Sequence, residues 1–109
     1  MSTVANGVGT QSTTNTTTYT TASFTPTAGD FLVAVVVASD TATDGTLTDS
    51  QGLLWELVNS HTTFTTNRLM IFAARQPAAA SAMTVTWDCT ADAATACIIQ
   101  VVRFVGSDG

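Results

Sequence analysis

Phe31-Leu32-Val33-Ala34-Val35-Val36-Val37-Ala38 is the stretch that decides the fold. It is a continuous apolar run of strand length, rich in β-branched valine, with turn-forming residues on both sides. A run this short favours a central strand buried on both faces, because helices in compact domains usually need about ten residues or more. Leu69-Met70-Ile71-Phe72-Ala73-Ala74 has the same character and predicts a second strand of this kind.

The segments around these two runs also have strand character, and Pro, Gly and Asp separate them. Residues 83–87 alternate with period two, which places Met83, Val85 and Trp87 on one face. Residues 49–52 are typical of a turn in which Gly52 takes a positive φ. No stretch of ten or more residues has a helical apolar period. The run at 69–74 belongs to a predicted strand at 62–75, and the remaining predicted strands are 14–24, 46–48 (a strand or a bulge), 53–58 and 97–105.

Strands at spacings of about 8–14 residues predict one all-β domain, a single-domain antiparallel β-sandwich of jelly-roll-like type. We expect six or seven strands and place the domain at residues 14–109. Residues 1–13 are small and polar, and they predict a flexible N-terminal arm that binds a partner. The side chains expected to make that contact are Ser2, Thr3, Val4, Ala5, Asn6, Val8 and Thr10.

Charge is scarce in this chain, and its net sign is negative. Its formal net charge is −5, and Arg68, Arg75 and Arg103 are too scattered to form the basic stripe that nucleic-acid binding requires. No apolar stretch is long enough to span a membrane. The first residues lack the basic and apolar regions of a signal peptide, so we expect either synthesis and initial folding in a cytoplasm or a chain that has already been processed.

Threonine carries most of the polarity of the chain. It occurs 23 times, whereas charged residues make up only 10% of the sequence, against roughly 25% in ordinary domains. A hydroxyl surface lacks the charge repulsion that keeps monomers apart. This composition is consistent with a domain that works inside an assembly, and equally with a secreted or phage-encoded β domain with an ordinary polar coat.

The potentially reactive side chains form no recognised catalytic pattern, so we do not expect an enzyme. His61 is the only histidine, and no nucleophile elbow exposes Ser50 or Ser60 to it. We expect it to be a loop histidine. Glu56 beside Trp55 superficially suggests a glycosidase carboxylate, but an outward-facing position on a strand is the commoner role.

Metal and thiol chemistry are the remaining possibilities. Asp40, Asp44 and Asp49 crowd one region, but their spacing does not match the EF-hand calcium loop, and we predict no metal site or cofactor. Cys89 and Cys97 flank a seven-residue loop and could face each other at disulfide distance. We expect free thiols in a cytoplasm, as two small buried hydrophobes, with oxidation possible later outside the cell.

Several landmarks occur together along the chain. They are Ala28-Gly29-Asp30-Phe31-Leu32-Val33, Thr48-Asp49-Ser50-Gln51-Gly52 before Trp55, the run at 69–74, the alternating segment at 83–87, and Val101-Val102-Arg103-Phe104-Val105-Gly106. Together they resemble a β-sandwich domain of tailed-phage structural proteins, of the head decoration (cement) type. The similarity covers about residues 14 to 106 and consists of strand and turn patterns without a chemical motif.

The resemblance implies a virion structural protein that binds the outer surface of a phage head and stabilises it. Its partners would be the major capsid protein and copies of itself, as a homotrimer, with assembly in the host cytoplasm. The alternative is a carbohydrate- or receptor-binding module of a phage tail or bacterial surface protein. In that case the stacking aromatics would be Tyr19, Trp55, Phe64 and Trp87, although we expect both tryptophans in the core.

Overall fold

The structure is a computed structural model that describes residues 3–14, 16–39, 45–63, 67–75, 81–89 and 94–105. These residues form eight strands connected by turns and irregular segments. The strands are β1 (Thr3–Ser12), β2 (Thr18–Thr20), β3 (Phe31–Ser39), β4 (Thr46–Asp49), β5 (Glu56–Thr63), β6 (Asn67–Arg75), β7 (Val85–Asp88) and β8 (Ala96–Val105).

The eight strands form two antiparallel sheets. One has five strands in the order β1-β8-β3-β6-β5, and the other has three in the order β2-β7-β4. Three pairs have strand numbers that add to nine, namely β1 with β8, β2 with β7 and β3 with β6. This is the pairing of a long hairpin rolled up into two layers, which is a jelly roll. The predicted antiparallel β-sandwich is confirmed, with β5 extending the larger sheet beside β6.

The core lies between the two sheets. On β3 it receives Leu32, Ala34, Val36 and Ala38, all buried, because alternate residues of a strand point to the same face. From the smaller sheet, Trp87 is fully buried and stacks on Tyr19 with ring centroids 6.1 Å apart. The predicted inward face of the segment at 83–87 is confirmed, since Met83, Val85 and Trp87 are all buried.

The prediction that the two long apolar runs are buried on both faces is wrong. On β3 the alternate residues between the buried ones are half-buried, and Val37 is exposed. The same one-sided pattern occurs on β6, where Leu69 is exposed. The smaller sheet covers only one face of the larger sheet, so an apolar run by itself does not show that both faces are buried.

The predicted flexible arm at residues 1–13 is also wrong over Thr3–Ser12, which form the edge strand β1. This strand pairs antiparallel with β8 along its length, which satisfies backbone groups of β8 that would otherwise lack partners. The pairing shifts by one residue at Gly7. A Cβ atom there would lie only 2.3 Å from the Val101 carbonyl oxygen, so this bulge requires glycine.

Strand limits around the predicted turn also differ from expectation. The turn at 49–52 is confirmed, with Gly52 at φ 81°. The Asp49 carboxylate accepts hydrogen bonds from the backbone N–H of Gln51 and from Nε1 of Trp55. These bonds keep residues 53–55 outside the strand, so β5 begins at Glu56 and continues to Thr63. His61 therefore lies in a strand and not in a loop.

The threonine-rich segment at 14–24 forms less strand than expected. Among its described residues, which exclude position 15, only β2 (Thr18–Thr20) is regular strand, and it lies at the predicted edge position of a sheet. Isolated bridges from Thr16 to Ala94 and from Phe24 to Met83 continue the contact on both sides of it.

Candidate functional site

The outward-facing side chains of the three central strands of the larger sheet are almost all apolar. The strand registers place them side by side across β8, β3 and β6. We call this set the apolar face: Ile98, Val102 and Phe104 on β8, Phe31, Val33, Val35 and Val37 on β3, and Leu69, Ile71 and Ala73 on β6. Gln100 is the polar side chain within its area.

One row of the apolar face is strongly exposed. Val37 lies directly opposite Leu69 on one side and Ile98 on the other. These three side chains are 40%, 38% and 48% exposed. The other seven members are half-buried, because neighbouring side chains on a pleated sheet shield one another. The face is therefore contiguous, and it is open to a partner.

The two faces of β3 show how unusual this surface is. Its core face carries Leu, Ala, Val and Ala, whereas its outer face carries Phe, Val, Val and Val. A strand whose outer face meets water normally alternates between apolar and polar residues. The outer face of β3 is as apolar as the part of β3 that builds the core.

A cavity of about 510 Å³ opens at one end of the apolar face. Val37 and Ile98, two members of the exposed row, belong to its apolar lining. Gln11, Ser39 and Asn67 add amide and hydroxyl groups from the ends of three strands. The end of the face is therefore concave, with an apolar floor and a polar rim, the shape that anchors a protruding side chain at an interface.

Charge is confined to the rim of this surface and is balanced among the described side chains. Arg75 lies at one end, with its guanidinium carbon 5.6 Å from the centre of the Phe31 ring. Glu56 is exposed on the neighbouring strand, where it pairs with Ala73. His61 is exposed on the same strand, opposite Leu69.

The other described acids lie away from the apolar face. Asp30 is buried and forms an ion pair with Arg103, with 2.8 Å between Oδ2 and Nε. Asp49 holds the turn after β4, and Asp88 lies on the smaller sheet. The negative charge of the described part is thus carried elsewhere than on the apolar face.

The outer surface of the smaller sheet has the opposite character, and we call it the threonine face. Thr20, Thr86 and Thr48 stand in one row across its three strands. The hydroxyls of Thr20 and Thr86 lie 2.8 Å apart and form a hydrogen bond. Thr18 and Thr46 flank Asp88 in the next row. The hydroxyl groups and the Asp88 carboxylate make this surface compatible with water.

Cys89 and Cys97 are both buried and are present as thiols. Burial, reinforced by the neighbouring Cys89, raises the pKa of the Cys97 thiol to about 12. The thiolate is the reactive form of cysteine, so this environment suppresses nucleophilic chemistry at neutral pH. Cys97 is buried in the core and also belongs to the lining of the cavity.

The candidate catalytic and metal-binding residues do not come together in the described part of the chain. Ser50 Oγ accepts a hydrogen bond from the Thr84 backbone N–H at 3.0 Å, so it is part of the turn. Glu56 points outward, as expected. Asp40 and Asp44 lie outside the described residues. Within those residues, no three His, Cys, Asp or Glu side chains form a group that could hold a metal ion.

The aromatic residues considered for sugar binding lie mostly in the core. Tyr19, Trp55 and Trp87 are buried, and Phe64 lies outside the described residues. The Tyr19 hydroxyl lies 2.9 Å from the Ala94 carbonyl oxygen, and burial raises the pKa of this phenol. These three rings have no exposed face on which a sugar could stack.

The fold and this surface together define a β-sandwich domain with an open apolar face. No family model, curated protein or solved structure matches the chain. The described residues include no helix with the length and apolar character needed to cross a membrane. The sequence signal for the apolar face was present in the valine run, in which residues of both parities are apolar.

Proposed function

We propose that this domain is a structural protein that works by binding within a larger assembly. The apolar face carries the proposal. Monomeric proteins rarely expose contiguous apolar patches of more than a few hundred Å², and larger patches mark interaction sites. Ten apolar side chains on three adjacent strands, with one exposed row, form a surface of that kind.

We further propose that the assembly is a phage head and that the domain decorates its outer surface. The support is the resemblance of the strand and turn pattern to tailed-phage decoration proteins. The jelly-roll topology is compatible with this role, since viral shell domains use it, although the same fold serves lectins and other proteins. The partners would be the major capsid protein and copies of this chain.

A decoration protein needs many equivalent contacts more than it needs a strong single contact. Each copy that bridges shell subunits adds to the avidity of the assembly without any new kind of contact. A low-charge exterior suits this work, because crowded copies on a shell repel one another less. The threonine face would then be a surface that tolerates either water or a close neighbour.

The predicted N-terminal contact with a partner would be made by a strand. Thr3–Ser12 are paired with β8, so a contact by the predicted side chains from Thr3 to Thr10 would come from an edge strand and not from a free arm. Ser2 lies outside the described residues. The free edge of β1 offers backbone groups for strand addition by a partner. This role of β1 stays a prediction.

The test is sedimentation of the purified chain with heads of the virus whose genome encodes it. We expect the chain to pellet with the heads and to saturate at a fixed copy number per shell subunit. A chain that stays in the supernatant, or binds without saturation, would contradict the proposal. The carbohydrate-binding alternative is not retained, because three of its four candidate aromatics are buried.

A further inference from the structure

We infer that the apolar face is covered by a second copy of this chain, so that two larger sheets pack face to face across a two-fold axis. The inference deepens the proposed function by naming the occupant of the same surface. It concerns contact between copies, and it can be tested on the purified chain without any shell.

The outer surface of the larger sheet has the area of a stable dimer interface. Strands lie about 4.8 Å apart and rise about 3.3 Å per residue, so the three strands of the apolar face cover roughly 14 by 30 Å, and all five strands of the sheet cover roughly 24 by 30 Å, or about 700 Å². Two such surfaces would bury about 1,400 Å², within the roughly 1,200–2,000 Å² of a stable, specific interface. The apolar face would be the centre of that interface, and the outer sides of β1 and β5 would be its more polar rim.

The charge distribution of the face also favours contact between two identical copies of the chain. The chain as a whole carries −5, whereas the described rim of the face carries one acid, Glu56, and one base, Arg75. An acidic face would call for a basic partner, and a basic face for an anionic one. A neutral apolar centre with a balanced rim lets two copies meet without placing their negative charges together.

The side chains on this face are suited to sheet-on-sheet packing. β-Branched residues such as Val33, Val35 and Ile71 are stiff at χ1 and form a regular surface that a second sheet can interdigitate with. A two-fold contact uses the same patch on both copies and so closes after two chains. The threonine faces of both copies then point outward.

The cavity provides a pocket that would make the contact between the two copies specific. It lies at the end of the exposed row, with Val37 and Ile98 in its lining. An apolar side chain of the second copy that enters it would displace water from an apolar floor. Anchors of this type, seated in a pocket, supply much of the binding energy at protein interfaces.

The experiment measures the mass of the purified chain by sedimentation equilibrium from about 1 to 100 µM. We expect twice the chain mass of 11.3 kDa in the wild type at the upper concentrations. Val37→Lys should weaken association by about 100-fold or more, because it places an unpaired charge in the buried contact of each copy. Thr48→Lys is the matched control, with the same new charge at an exposed strand position on the threonine face, and it should sediment as the wild type does.

Folding of the variants is checked by circular dichroism. If Val37→Lys does not fold, Ile98→Lys replaces it, since Ile98 is the most exposed member of the row. A wild type that remains a single chain at 100 µM would overturn the inference, and so would a mass of three chains. A two-chain wild type that Val37→Lys and Ile98→Lys both leave intact would show that copies pair through another surface, and it would also overturn the inference.

Binding to heads separates this inference from the proposed function. A single-chain wild type that binds heads, with binding lost in Val37→Lys but kept in Thr48→Lys, would place a shell subunit on the apolar face. The inference would then fail while the proposed function stands. A wild type that forms two-chain particles but does not bind heads would support the inference and contradict the proposed function.

Discussion

The two outer surfaces of the sandwich differ in a way that the fold does not require. The threonine face follows the usual rule for a sheet with one wet side. On β7, Val85 and Trp87 point into the core, whereas Thr86 and Asp88 point out. The apolar face breaks the rule, because Val35 and Val37 on β3 point away from the core and are as apolar as the residues that point into it.

This difference separates residues needed for folding from residues available for binding. The inner face of β3 already supplies the larger sheet's share of the core, so the outer valines are not needed to fold the monomer. An exposed apolar row is also an aggregation liability when it has no partner. In the proposed function, the outer face of the larger sheet is therefore the surface that binds a partner.

The largest expected effect comes from placing the same substitution on the two sides of β3. Val36→Thr puts a hydroxyl into the core, and we expect a loss of about 2–3 kcal/mol of unfolding free energy if the hydroxyl finds no partner. Val35→Thr puts it on the half-buried outer face and should cost less than about 1 kcal/mol. Urea unfolding at low protein concentration measures both. Equal losses would contradict the separation of the two faces.

A smaller effect is expected at the edge where β1 borders the apolar face. Gly7→Ala should cost about 2 kcal/mol, because the new methyl group would overlap a rigid backbone carbonyl. Gly9→Ala is the control, since its methyl group would meet only the movable end of the Gln100 side chain. Amide exchange should become faster along β1 in Gly7→Ala alone. Equal exchange in both variants would indicate that residues 3–12 behave as an arm.

The buried thiol of Cys97 predicts that the free energy of unfolding depends on pH. The raised pKa of Cys97, about 12, means that the folded state keeps this proton while the unfolded chain loses it above about 8.5. The contribution of Cys97 to stability is therefore constant below pH 8.5 and falls above it by up to about 1.4 kcal/mol per pH unit. Urea unfolding at pH 7, 8.5 and 9.5 measures the slope. The slope should flatten in Cys97→Ala, and an unchanged slope would show that Cys97 is not its source.

The smallest effect is expected on the threonine face. Thr86→Val removes one hydrogen bond, to Thr20, and keeps the β-branched shape. We expect a change of less than about 0.5 kcal/mol, since such cross-strand pairs contribute only a few tenths. Thermal unfolding compares the variant with Thr86→Ser, which keeps the hydroxyl and loses the methyl group. A loss above 1 kcal/mol in Thr86→Val would mean that this face is structural and not only a wet exterior.

Local pattern was enough to predict the sandwich and its core. The alternation at 83–87 and the turn that ends at Gly52 both appear as expected, because period and turn chemistry are properties of a few neighbouring residues. The limits of β5 were not predictable in this way. They depend on Asp49 reaching Trp55, a contact that the strand pattern alone does not reveal.

Two other features needed the three-dimensional structure for a physical reason. Residues 3–12 have little apolar character. They form a strand because the edge of β8, at the other end of the sequence, supplies their hydrogen-bond partners. The apolar face was hidden by the assumption that an apolar run is buried by its own domain. Whether a second layer covers the outside of β3 depends on the number of sheets, which the run at 31–38 does not encode.

The most direct test of the central claim is an NMR dilution series that follows methyl resonances of both outer surfaces. We expect concentration-dependent shifts in Val35, Val37 and Ile98, together with reduced access to a soluble paramagnetic probe at high concentration. Thr48 and Thr86 should remain unchanged and accessible throughout. Methyl groups of the apolar face that stay accessible at every concentration, or shifts confined to the threonine face, would contradict the account.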